Sequence, residues 1–336
     1  MRIIRLSLAA ALSLALPAQA FAWGGHGHRI VGVAAMEALP EEVPAFLRDP
    51  TAIADVGELS REPDRSKGAG KIHDSNRDPG HFVDLDDARR VMGGPVFQAP
   101  LPPTRADYET GLRAAGTDSW KAGYLQYSIV EEYQQLTLDF AYWRVLKAAE
   151  KHAADPGRRA WFAEDRARRE ALLKRTLGYL SHFVADGSQP LHVSVHYNGW
   201  GDYPNPKGYT TARIHGPFES EFTRANVTLP GLKAQMRPFE SCGCPIEERT
   251  VDYILTTFEQ IEPLYALEKA GGLEAADPRG VAFATERAAA GASELRDLIV
   301  EAWRDSADSQ VGWKPVKVSD VEAGRVDPFD ALYSVD

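Results

Sequence analysis

The stretch Leu180-Ser181-His182-Phe183-Val184-Ala185-Asp186-Gly187-Ser188-Gln189-Pro190-Leu191-His192 decides how the rest of the chain is read. His182 and Asp186 are four residues apart, so a helix sets both on one face. Pro190 ends or redirects that helix and brings His192 back towards the pair. A second pair with the same spacing follows, His215 and Glu219, in Arg213-Ile214-His215-Gly216-Pro217-Phe218-Glu219. Imidazole and carboxylate are ligands that zinc accepts at neutral pH without redox chemistry. One such pair is commonly a capped or salt-bridged surface feature. Two pairs, with a further histidine just past a proline, point to metal.

Outward from this segment helical spacing dominates. Residues 167–187 read as one strong helix. From about Trp120 to His152 the residues Tyr127, Val130, Tyr133, Leu136, Phe140, Trp143 and Leu146 share a face. Helical patterns also run through Ala34, Ala35 and Leu39, near Phe218, from 247 to 268 and from 280 to 305. Residues 61–105, rich in Asp, Arg, Gly and Pro, read as a long irregular region, of the kind that is functional or held by something other than a core. Residues 196–212 read as loop, and the tail after Trp313 as extended. Alternating strand patterns are scarce. The predicted fold is therefore all-α, one mostly helical domain over residues 23–336 with long loops.

The first 22 residues stand apart. Arg2 and Arg5 precede an apolar run from Leu6 to Leu16, Pro17 breaks it, and Ala20-Phe21-Ala22 offers a small-x-small cleavage pattern. The run is too short to cross a membrane, so residues 1–22 read as a secretory signal peptide and the protein as exported, periplasmic or extracellular. No other stretch approaches a membrane span, so no stable membrane association is expected. Loss of Arg2 and Arg5 moves the formal charge from −10 to −12. A chain this acidic lacks a broad electrostatic grip on nucleic acid; a phosphate substrate then needs local positive charge, which metal supplies. Cys242 and Cys244, the only two cysteines, form either a tight local clip or two free thiols, and neither is given a catalytic role.

Cleavage after Ala22 would expose the α-amine of Trp23. With a pKa of about 8, that amine can lose its proton and bind a metal, with its own carbonyl oxygen beside it to complete a chelate ring. His28 follows in Trp23-Gly24-Gly25-His26-Gly27-His28. The same tryptophan would serve equally as an anchor of the first helix in the core.

Together, the N-terminal Trp23, Gly27-His28, His81-Phe82-Val83-Asp84, and His182-x-x-x-Asp186 followed by Gln189-Pro190-Leu191-His192 resemble the fungal and plant single-strand nucleases called nuclease S-one and nuclease P-one. They also resemble bacterial zinc-dependent phospholipase C, which shares that fold. The likeness runs over roughly residues 23 to 300. It implies three zinc ions in an all-helical domain. One is held by Asp64, His81, His182 and Asp186. A second is held by the amine and carbonyl of Trp23 with His28, and Asp186 bridges to it. The third falls to His192, His215 and Glu219. Departures from the pattern are visible. The nucleases usually have Asp where Glu219 stands, and Glu is similar to the phospholipase pattern. Their Trp-Ala-Asp is missing, so Asp64, in Arg61-Glu62-Pro63-Asp64-Arg65, is chosen by position, with Asp55 and Asp74 as competitors. Lys67 stands where the nucleases carry a phosphate-stabilising arginine.

The resemblance implies an exported zinc-dependent endonuclease that cuts single-stranded DNA or RNA and leaves 5′-phosphates. Two zinc ions about 3.5–4 Å apart would yield hydroxide at neutral pH to attack phosphorus. Asp64, Lys67 and Asp186 are the candidate catalytic residues. Phe82 stands where the family stacks a base, and Asp84 where it hydrogen-bonds one; stacking demands an unpaired base. The residues themselves leave open that Phe82 is core and Asp84 a cap. Two alternatives stand beside this reading: a zinc-dependent phospholipase C, and a secreted zinc-binding protein without catalysis. No obligate protein partner is expected.

Overall fold

The computed structural model describes residues 23–333. Residues 1–22, read above as a signal peptide, lie outside the described residues. The chain is all-α. Its only ladder among the described residues is the two-residue antiparallel pair Gln310–Val311 with Val316–Lys317. Eight helices of nine residues or more build the body. They are α1 (Gly24–Glu37), α2 (Pro50–Leu59), α3 (Arg105–Ala114), α4 (Leu125–His152), α5 (Pro156–Ser188), α6 (Ile246–Phe258), α7 (Ile261–Lys269) and α8 (Pro278–Asp305).

Local chemistry sets where these helices start. Asp49, Asp155 and Asp277 each precede a proline at the first helical position, and each side chain accepts a backbone N–H of the first turn. An acidic cap satisfies an orphan donor, and proline has no N–H to lose there. This is why α5 begins at Pro156 and not near 167. Its first turns are charged and carry little apolar period, but the Asp-Pro cap fixes the start. At the other end Gln189, in extended backbone, stops it, and a single 3₁₀ turn, Pro190–His192, follows.

Helices α4 and α5, joined by three residues, make the most extensive helix contact in the molecule. Such a short connection leaves only an antiparallel hairpin. Helices α1, α2 and α8 pack on α5, and Phe140, Leu173, Leu177, Leu180, Val184 and Leu295 lie in the resulting core. A second apolar cluster joins Ala141, Val145 and Leu146 of α4 to Val311, Val318 and Val321.

Three expectations need correction. The tail after Trp313 is not simply extended: Val318–Glu322 and Phe329–Tyr333 are short helices, and burial of Val318 and Val321 against α4 holds the first in place. Trp120 does not open the long helix. It sits on a separate turn, Ser119–Ala122, capped by Asp118 and ended by Gly123 at φ 75°. A side chain on Gly123 would be driven into the carbonyl of Phe82, so glycine is required there and the helix restarts beyond it. The helix read over 167–187 starts earlier, at Pro156. The 247–268 pattern is helical as expected, in two pieces, α6 and α7. Residues 61–105 are irregular as expected, with one-turn helices at Glu62–Arg65, Lys71–Asp74 and Asp78–His81 ahead of α3.

Candidate metal centre and cleft

The helix ends and single turns meet at one pole. α1 brings His28, the turn Glu62–Arg65 brings Asp64, and the turn Asp78–His81 ends on His81. α5 brings His182 and Asp186, and the turn Pro190–His192 brings His192. Glu219 lies on Pro217–Phe222, a π-helical stretch. Such stretches are rare and occur chiefly at functional sites. Gly24, at φ 49°, lets α1 come down against this stretch, where a Cβ would meet Ser220 at 3.1 Å.

These side chains form three groups whose donor atoms lie within 4.8 Å of one another: His28, Asp64 and His182; His81, His182 and Asp186; His192, His215 and Glu219. Each is buried. Asp186 is central: Oδ2 is 3.3 Å from His182 Nε2, and Oδ1 is 3.5 Å from His28 Nε2 and 3.8 Å from His192 Nδ1. Asp64 lies 4.0 Å from His28 Nε2, 4.0 Å from His182 Nε2 and 3.8 Å from His81 Nε2. In the third group His215 Nε2 is 2.8 Å from Glu219 Oε2 and 3.0 Å from His192 Nε2.

Backbone carbonyls fix which ring nitrogen faces inward. His182 Nδ1 lies 2.8 Å from Ser60 O, His192 Nδ1 lies 2.7 Å from His81 O, and His81 Nδ1 lies 3.0 Å from Arg77 O. A ring that donates from Nδ1 keeps its Nε2 lone pair free, which is how metal-binding histidines are held. Several inward atoms have no partner within the protein. His28 Nε2, His81 Nε2, His182 Nε2, both oxygens of Asp186 and Glu219 Oε1 are buried without a hydrogen-bond partner. Burying so many unpaired polar atoms is costly unless something else satisfies them. Nitrogen and oxygen donors in groups of three, with neutral imidazoles and ionised carboxylates, fit divalent metal ions.

The electrostatics favour those states at His28, His81, Asp64 and Asp186. Burial, reinforced by His182, takes the His28 imidazole down to about 3, and burial also lowers His81 well below the usual range. Burial would raise Asp64, but His182, Lys67 and His28 outweigh it and hold the carboxyl down at about 2. Asp186 is likewise held low, by His182 and His192 against burial. His192 is the exception: burial would lower it, but Asp186 and Glu219 push it up to about 9.

Of the competitors for the early carboxylate, Asp55 pairs with Lys174 at 2.6 Å and Asp74 with His73 at 3.3 Å, both away from the three groups. Lys67 Nζ lies 2.8 Å from Asp64 Oδ1. The indole of Trp23 is fully buried, and its N–H donates to Ala185 O at 2.8 Å, on the last turns of α5. Its backbone is left-handed, at φ 33° and ψ 10°, a conformation that costs an ordinary residue about 1–2 kcal/mol. Residue 23 thus both anchors α1 and lies beside the turn that carries Asp186. His26, His73, His152 and His196 stand outside the three groups; His196 bridges Trp200 O and Asp87. Cys242 and Cys244 are joined as a disulfide.

A cleft of about 430 Å³ opens over His81, His192 and His215, the size of a small-ligand site. Lys67, Phe82 and Asp84 line it, so Phe82 is not core. Burial pushes the Asp84 carboxyl well above the usual carboxylate range. Trp120, Lys121 and Tyr197 also line the cleft, and the sequence reading missed all three. Trp120 was absorbed into a helix that in fact begins at Leu125, and Tyr197 follows His196 in a loop with no period to mark it.

Fold and site define an all-α protein with three buried groups of donors fit to hold metal ions. No family model matches the chain, and no curated protein matches it.

Proposed function

We propose that the protein is an exported zinc-dependent phosphodiesterase that cuts single-stranded nucleic acid and leaves 5′-phosphates. One observation carries this reading: groups of imidazoles and carboxylates with partnerless donor atoms include His81, His192 and His215, which line a cleft that also presents a lysine and a half-buried aromatic ring. The zinc ligands would be Asp64, His81, His182 and Asp186; Trp23 and His28 with Asp186 shared; and His192, His215 and Glu219. Removal of residues 1–22 would free the Trp23 amine for this use. Bound zinc supplies Lewis acidity, lowering the pKa of water and neutralising charge on phosphoryl oxygens.

The chain's own residues do the rest. Ser60, Arg77 and His81 carbonyls hold three imidazoles in the tautomer that binds metal. Lys67 is kept protonated by Asp64 in spite of its burial and offers a fixed positive charge to a phosphate entering the cleft. Phe82 offers a face to a base. Asp84, when it carries its proton, presents both an O–H donor and an acceptor to a base edge. The carboxylates of Asp186 and Asp64 orient the floor and stay ionised.

A second reading, a phospholipase C, draws support from Glu219 and from the exposure of Ile72, Trp120 and Tyr197. The deciding assay offers the processed, zinc-loaded protein single-stranded DNA, single-stranded RNA and phosphatidylcholine. Cleavage of the first two with 5′-phosphate ends is expected. Turnover of the lipid alone, or of nothing, would overturn the proposal. No described helix is long and apolar enough to cross a membrane.

A further inference from the structure

We infer that Trp120 and Lys121 form a second nucleotide subsite, so that the cleft binds two consecutive nucleotides of a chain and favours polymer over mononucleotide. The inference rests on the phosphodiesterase reading above and goes beyond it by naming the length of substrate the site is built for.

The cleft holds two cations and more than one aromatic ring at two depths. Lys67 is deep, its side chain 11% exposed and beside Asp64, and Phe82 is half-buried beside His81. One lysine and one ring suffice for one nucleotide. Trp120 and Lys121 repeat that pairing at the rim, where both are exposed and both line the same cavity. Trp120 is 45% exposed. An indole left half in water loses apolar burial that a core position would supply.

The rim pair is held at a fixed place relative to the inner one. Asp84 N–H donates to Ala122 O at 2.9 Å, and Leu125 N–H donates to Phe82 O at 3.0 Å. Asp118 caps the turn through Lys121 N–H. Two short segments, 82–84 and 119–125, are therefore stapled together, one carrying the inner ring and the other the outer ring and outer cation. Successive nucleotides alternate a flat apolar face with one negative charge, and every base has a face to stack. A ring and a cation, repeated once along a cleft, match two such units. A duplex keeps its base faces covered and cannot use either ring.

The test uses the zinc-loaded protein and single-stranded tetranucleotides, each with one abasic position. In the wild type an abasic site should lower kcat/KM at two adjacent positions. In Trp120→Ala the penalty should vanish at one of them and persist at the other, with KM for the intact tetranucleotide raised roughly tenfold to a hundredfold and kcat changed far less, as loss of one stacked base implies. Trp120→Phe should recover most of the loss. Lys121→Ala should weaken binding of a labelled phosphorothioate tetranucleotide and flatten its salt dependence. Identical abasic penalties in Trp120→Ala and wild type would overturn the inference while leaving the phosphodiesterase reading intact. Failure of the wild type to cut any nucleic acid, with Trp120→Ala impairing turnover of phosphatidylcholine, would overturn both and assign the rim to lipid.

Discussion

Two regions of this protein bury charge, and they do so in opposite ways. Under α6 and α8, Arg249 reaches Glu294 at 2.6 Å, Glu301 at 2.9 Å and Asp297 at 3.6 Å, and Arg296 donates to Asp297 at 2.7 Å. There each carboxylate meets an arginine that the chain itself supplies. At the pole formed by α1, α5 and the turns ending on His81 and His192, carboxylates meet imidazoles instead, and both oxygens of Asp186 and the Nε2 atoms of His28, His81 and His182 lack hydrogen-bond partners. The first region is closed. The second keeps donor atoms in reserve that could hold metal ions. Burial of charge alone does not mark a site; buried donor atoms that face one another without hydrogen-bond partners do.

The contrast can be broken at either end. The largest effect is expected at the open region. Asp186→Asn should lower zinc content, because this side chain lies among His28, His182 and His192, and should cut phosphodiesterase activity by roughly 10³-fold or more. Metal analysis and turnover on the same preparation check it. Full zinc and full activity would mean that the central carboxylate is idle. Breaking the closed region should act on stability instead. Arg249→Ala removes the arginine that Glu294, Glu301 and Asp297 share, leaving Arg296 to Asp297 alone, and removing one partner of a buried ion pair costs about 3–5 kcal/mol. Denaturant unfolding should show that loss, while zinc per folded chain stays at the wild-type value.

A third way of holding a carboxylate away from water has a smaller effect. Glu132, on α4, has an oxygen buried without a partner and no imidazole beside it. Burial pushes its carboxyl up to about 7, so it resolves its burial by keeping a proton. A raised folded-state value means that the folded chain binds the proton more tightly than the unfolded chain. That contribution is present in full below about pH 4.5 and is lost as pH rises through about 7. Glu132→Gln should flatten this slope and gain about 1–2 kcal/mol at pH 8. Equal pH profiles for variant and wild type would refute it.

Much of this was legible in the sequence. The scarcity of alternation led to an all-α chain, and the i, i+4 spacing of His182 and Asp186 with the proline before His192 led to donors that the fold does gather into groups that could hold metal. Asp64 was less legible, because its position comes from a one-turn helix in an irregular region where Asp55 and Asp74 had equal local claims. Only the fold separates them, by giving Asp55 a lysine and Asp74 a surface histidine. Trp120 and Tyr197 were hidden for a different reason. Periodicity reports which residues face a core, and a ring at the rim of a cleft obeys no period. The start of α5 was missed because its first turns are charged, although Asp155-Pro156 was there to be read.

If the partnerless donors are metal ligands, the processed chain beginning at Trp23, loaded with zinc and freed of excess, will show it in elemental analysis. Three zinc ions per chain are expected. A folded protein that retains no zinc would contradict the account.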